Sequence, residues 1–157
     1  MFSIKWNNGW SNLRTTYHGA FKRLGYCNAA YYQIEEHNES KARNYVTYGF
    51  VSYDTPICKV VYYHDIDTNV DGYHVYVNRD SYRCSSTTIH QFGRFLRIAV
   101  GDSFTYQDIK WYDEHTVANC ARIKSYDLPI TLWWVDGDTM RNSMARFDNA
   151  LYETESV

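Results

Sequence analysis

Four runs of aromatic and β-branched residues follow one another between Tyr26 and Asn78, and they restrict the fold more than any other feature. They read YCNAAYYQIEE (26–36), YVTYGFVSY (45–53), ICKVVYYH (57–64) and YHVYVN (73–78). Tyrosine, valine and isoleucine fit a pleated, half-buried surface. The links between runs are short and polar, with a charged loop over 35–40 and an Asp71-Gly72 turn, which predicts an antiparallel meander of about four strands. Composition supports this: the chain holds 16 tyrosines against six leucines. Its 157 residues, 45% hydrophobic and 22% charged, suit one globular domain, or one domain with an added arm.

The period changes after the fourth run. Ser85 and Ser86 precede Thr87-Thr88, and Ile89, Phe92, Phe95, Leu96 and Ala99 recur at helical spacing. Hydroxyls that accept free amide hydrogens start helices, and glycine ends them, so a helix is predicted over Thr87–Ala99 with Gly101 as its stop. A meander followed by an amphipathic helix makes the fold class α+β, with the helix on one face of the sheet. Beyond it the pattern predicts a C-terminal strand at Ile130–Val135 and further helices. These are a short one from about Thr105 to Glu114, one over Thr116–Ile123, and a last amphipathic one over 139–152. Residues 1–20 read as a leader.

The only two prolines occupy matching places in an internal echo, Ser52-Tyr-Asp-Thr-Pro-Ile57 and Ser125-Tyr-Asp-Leu-Pro-Ile130. Both precede an apolar strand, where proline costs little and holds its predecessor extended. Reuse of one turn-into-strand signal and a duplicated unit both fit.

Charge divides the chain. Residues 1–100 carry a net +3 and residues 101–157 a net −5. The domain reading is an α+β core over 1–100 and an acidic extension over 101–157, either separate or integrated. No basic segment followed by an apolar run opens the sequence, and the longest uncharged apolar stretch is far too short for a bilayer, so neither secretion nor a membrane is expected. Cys27, Cys58, Cys84 and Cys120 are widely spaced; buried thiols are expected, with two disulfides as the alternative. The run Asp65-x-Asp67-x-Asn69-x-Asp71-Gly72 suggests a calcium loop, but Val70 and Tyr76 stand where that template needs glycine and an acidic ligand. His64 and His74 could face each other across strands and offer two ligands at most. No nucleotide or hydrolase motif occurs. No catalytic residue, metal or cofactor is expected. Arg79, Arg83, Arg94 and Arg97 gather around the predicted helix, opposed only by Asp80, and with the aromatics could form a nucleic-acid surface.

Phe21 with Gly25, the run Val51–Ile57, and the run Tyr82, Ser85-Ser86-Thr87-Thr88, His90, Phe92, Phe95-Leu96 together resemble a group of small proteins common in tailed-phage genomes. The resemblance covers about residues 18–100, departs at the doubled serine and around Gly25, and leaves 101–157 outside. The family has no settled activity, so no catalytic role is implied. The resemblance implies a phage gene product in the host cytoplasm, and with it a non-enzymatic protein that binds and inhibits a host protein. A defence nuclease is one such target, which would make the chain anti-CRISPR-like. Blocking by binding calls for aromatic anchors and acidic side chains that pair with basic groups on the target. The candidates are Asp102, Asp108, Trp111, Asp113, Glu114, Asp136 and Asp138. Direct nucleic-acid binding through the four arginines, as an accessory protein, is the less favoured alternative.

Overall fold

The computed structural model of the chain describes residues 21–24, 29–53, 55–124 and 126–140. Seven strands form one sheet: β1 (Phe21–Arg23), β2 (Ala29–Asn38), β3 (Arg43–Ser52), β4 (Thr55–Asp65), β5 (Val70–Asn78), β6 (Cys120–Ile123) and β7 (Ile130–Val135). Their spatial order is β1-β2-β3-β4-β5-β7-β6. Every neighbouring pair is antiparallel except β5 and β7, which are parallel. Two helices, α1 (Ser86–Ala99) and α2 (Tyr106–His115), lie in the stretch between β5 and β6, and residues 137–140 add a helical turn. No described helix is long and apolar enough to cross a membrane.

The mixed helix-and-sheet class holds, but a sheet of about four strands understates the architecture. The four runs are β2 to β5, and β1, β6 and β7 extend the sheet on both sides. β1 has three residues, too few to show a period. Thr116–Ile123 is not helical: Cys120–Ile123 is an edge strand paired with β7. Val117, Cys120 and Ala121 stand at helical spacing there, yet none of the three is buried. Val117 is 98% exposed. β6 and β7, both beyond residue 100, belong to the same sheet as the meander. The expected leader lies outside the described residues, as does the expected last helix beyond residue 140.

Local chemistry explains the helix ends. The Ser85 hydroxyl accepts the Thr88 N–H at 3.1 Å, filling one of the four amides that a helix start leaves open. At the other end the Gly101 N–H donates to Leu96 O at 3.0 Å, with Gly101 at φ +137°, a conformation that other residues rarely adopt. α1 lays Phe92, Phe95, Leu96 and Ala99 on the sheet. The Phe50 ring stacks against Phe92 and Phe95 at 5.7 and 5.3 Å. Each such side chain, fully buried, contributes roughly 1.5–3 kcal/mol.

The opposite face of the central strands is buried as well. Tyr32, Tyr45, Lys59, Val61, Tyr76 and Asn78 are each at most 1% exposed. Burial on both faces explains why β4 reads as an almost continuous apolar run rather than an alternating one. Two cross-strand pairs on this face match a tyrosine with a glycine. Tyr32 sits opposite Gly49 and Tyr63 opposite Gly72. A Cβ on Gly49 would lie 2.2 Å from the Tyr32 ring, and one on Gly72 would lie 2.3 Å from the Tyr63 hydroxyl. The rings therefore occupy the space where a side chain would stand.

The echoed hexapeptides both link antiparallel neighbours, the first between β3 and β4, the second between β6 and β7; Asp54 and Ser125 lie outside the described residues. Pro56 O accepts the Asn78 amide at 2.9 Å, and Pro129 O accepts the Tyr73 N–H at 2.8 Å. Both prolines thus offer a carbonyl to β5.

Candidate functional site

Parallel pairing of β5 and β7 brings the loops after both strands to one end of the sheet. There the Arg79 N–H donates to Val135 O at 3.0 Å, and the Gly137 N–H donates to Asp80 Oδ2 at 3.2 Å. The C-terminal end of α2 is tied to the same place. Arg79 Nε donates to Asp113 Oδ1 at 2.9 Å and its Nη2 to Thr116 O at 3.3 Å. The Tyr82 hydroxyl donates to the other oxygen of Asp113. Burial, and then this bond, push the Tyr82 phenol well above its ordinary range. The Arg79 guanidinium also lies over the Trp134 ring, 5.1 Å from its centre.

A cleft of about 450 Å³ opens beside this network, lined among others by Arg79, Asp80, Asn119, Trp133 and Asp136. Asp113 already compensates the Arg79 charge, so Asp80 and Asp136 leave the walls negative. Asp136 Oδ1 accepts the Thr139 N–H at 2.7 Å, and that bond holds the carboxyl below its usual range. Each of the two carboxylates spends one oxygen on a backbone amide. The geometry suits a cationic side chain entering from outside.

An apolar ridge stands next to the cleft. Trp111, on the outer face of α2, is 53% exposed, and Val117 is 98% exposed. The His115 ring stacks on the Trp111 indole at 4.2 Å and 10°, and Tyr112 packs edge-on against it at 5.0 Å. The His115 Nδ1 bonds to Trp111 O at 2.8 Å. The indole is therefore held in one orientation while remaining in solvent.

The seven expected contact residues separate into three groups. Asp113 serves the fold through Arg79 and Tyr82. Asp108 closes the capping box of α2, accepting the Thr105 N–H at 2.8 Å, which fixes the helix start. Trp111, Glu114, Asp136 and Asp138 remain for an interface, Glu114 with only an exposed pairing to Lys110 at 4.0 Å. Asp102 lies by the start of α2, in the wall of a groove that Arg97 and Phe104 also line. Asp102 precedes the helix and lies well away from Trp111, whereas Asp108 stands one turn before Trp111 but is held by its bonds to Thr105. The four arginines also part company. Arg79 belongs to the network just described, Arg83 lies over the Tyr82 ring at 5.6 Å, and Arg94 and Arg97 are exposed on α1. Sequence reasoning missed Val117, Asn119 and the cleft; a lone valine in a polar stretch carries no signal of its exposure.

The histidine pair is not formed. His64 bonds to Asp71, while His74 lies on the opposite face and accepts the Trp133 indole N–H at 2.9 Å. Asp65 is ion-paired with Arg43, and the Tyr62 hydroxyl donates to Asp71 at 2.7 Å. Among the described residues no three His, Cys, Asp or Glu side chains gather as a metal site. Of the cysteines described, Cys58 is a buried thiol as expected, whereas Cys84 is exposed and Cys120 half-buried. Cys27 lies outside the described residues. Compared with protein families, with curated proteins and with solved structures, the chain matches none of them.

Proposed function

We propose that the protein is a non-enzymatic binding protein that blocks a host protein by docking on it through α2 and the adjoining cleft. The observation that carries this reading is Trp111: a large aromatic left half in solvent, oriented by His115, on a helix whose other face is packed. Tryptophan is the residue most enriched among interface anchors, and a pre-oriented ring loses little freedom on binding. The partner surface that fits is an apolar pocket rimmed by lysine or arginine. The pocket takes the indole and Val117, and one basic side chain enters the cleft towards Asp80 and Asp136. A basic rim is what a nucleic-acid-handling enzyme presents, and the resemblance to tailed-phage proteins favours a host defence nuclease in the bacterial cytoplasm as the target.

The test compares wild type with the double variant Trp111→Ala/Val117→Ser. Both are immobilised and exposed to host lysate, and retained proteins are identified by mass spectrometry. One protein held by wild type and lost from the variant is the expected result. Truncating a central anchor typically costs about 2 kcal/mol or more, roughly thirtyfold in affinity. Equal retention by a folded variant would rule out this surface. Turnover of a substrate by the purified protein would rule out the non-enzymatic reading.

A further inference from the structure

A second surface lies on α1, away from the Trp111 ridge. The helix STTIHQFGRFLRIA contains no acidic residue, not even in the first turn. His90, Arg94 and Arg97 follow at i, i+4 and i+7, so they share one stripe, and all three are exposed. Elsewhere Arg43, Arg79 and Lys110 each have a carboxylate partner. Arg94 and Arg97 have neither an ion pair nor a hydrogen bond among the described residues.

Gly93 lies within this stripe. Glycine is the poorest interior helix residue after proline, and here no neighbour demands it: a Cβ would meet nothing within 4 Å. The space above it is a groove of about 380 Å³ between α1 and the start of α2, lined by Gly93, Arg97, Asp102, Phe104, Tyr106 and Gln107 among others. Arg83 lies beyond the groove, over the Tyr82 ring that packs against Tyr106, and its charge opposes the rise that burial causes in the Tyr106 phenol. A bare helix backbone flanked by unpaired cations admits a ligand to close range. Asp102 is the carboxylate that lines the groove, and the Asp113 and Glu114 charges also reach Tyr106.

We propose that this stripe is a docking site for the phosphate backbone of a nucleic acid, held by Arg94 and Arg97 with His90 and Arg83 at its ends. From His90 to Arg97 the stripe runs about 10 Å, the length of roughly three nucleotides at 3.4 Å each. The lack of an exposed aromatic within the stripe favours a polyanion over an acidic protein segment. Protein interfaces centre on buried aromatic anchors, whereas backbone contacts need charge and close approach.

Fluorescence anisotropy of the full chain with a labelled single strand of about 15 nucleotides, and with its duplex, tests this. At least one should bind, with affinity falling about sevenfold or more between about 50 and 200 mM salt for two released counterions. Arg94→Ala/Arg97→Ala should keep the wild-type Tm, bind at least about tenfold more weakly, and flatten the salt slope by about 1.4 to 1.8. Gly93→Ala should raise Tm and weaken binding, while Trp111→Ala should leave oligonucleotide binding unchanged. The proposal is overturned if neither oligonucleotide binds at the lower salt, or if the double arginine variant matches wild type in affinity and slope. It is also overturned if poly-glutamate binds the stripe and oligonucleotides do not, which would assign it to an acidic polypeptide.

Discussion

Single residues set the register and the acid limit of the sheet. Gly49 faces the Tyr32 ring, which has no room to retreat because Tyr32 is fully buried. Gly49→Ala should therefore destabilise the fold by about 1–3 kcal/mol, read from urea unfolding. Tyr53 is the contrary case. It sits in the β3–β4 turn at φ 53° and is half exposed, so its ring gains little and its backbone is strained. Tyr53→Asn should stabilise by about 1 kcal/mol, a gain in the same assay. His74 sets a pH limit. Burial, helped by the Arg43 and Arg122 charges, lowers its pKa from 6.5 to about 4. As pH falls through that interval the unfolded chain takes up a proton that the folded chain refuses. Stability complete above pH 6.5 is thus lost towards pH 4, by up to about 3 kcal/mol. A Tm profile from pH 8 to 4 should show the fall, and His74→Asn, which keeps an acceptor for Trp133, should flatten it.

At the scale of elements, α1 is where sequence and structure agree most closely. Its cap, its apolar period and its glycine stop all act within a few residues, so they can be read without knowing the partner strands. Leu96→Ala should cost about 2–5 kcal/mol, because the face is packed and the vacated space has no filler; a loss under 1 kcal/mol would contradict that packing. α2 was legible as a helix but not as a structural strut. Its acidic content suggested an arm reaching for a basic target. Asp113 turned inwards instead, because Arg79, just after β5, and the Tyr82 hydroxyl converge on it from 34 and 31 positions away. Nothing local to Asp113 announces those partners. Asp113→Asn should accordingly lower stability, by about 1–3 kcal/mol in thermal or urea unfolding, since it weakens two bonds to a charged acceptor. β6 was misread for a related reason: a four-residue edge strand is defined by the neighbour it joins, and its own residues fit a helix equally well.

For the whole molecule, the decisive feature is where β7 inserts. The described part of the first hundred residues contains five strands and α1, yet Val75 and Val77 of β5 pair with Leu132 and Trp134 through the parallel ladder. A chain ending at residue 100 would leave that edge open and uncover Tyr82 and Phe92, which pack against Tyr106. Such a truncation should lose the cooperative unfolding transition seen for the full chain, measured by circular dichroism with heating. The meander could be read from its own alternation. The insertion could not, because the parallel pairing joins segments more than fifty residues apart through a crossover that no local pattern specifies. The same placement has a consequence for biosynthesis. As the chain leaves the ribosome, β6 emerges before the strand it must pair with, and β5 waits with a bare hydrogen-bonding edge until Ile130–Val135 follow. The sheet is thus incomplete until β7 emerges, and that interval is when a chaperone or a second nascent copy would find an edge to hold.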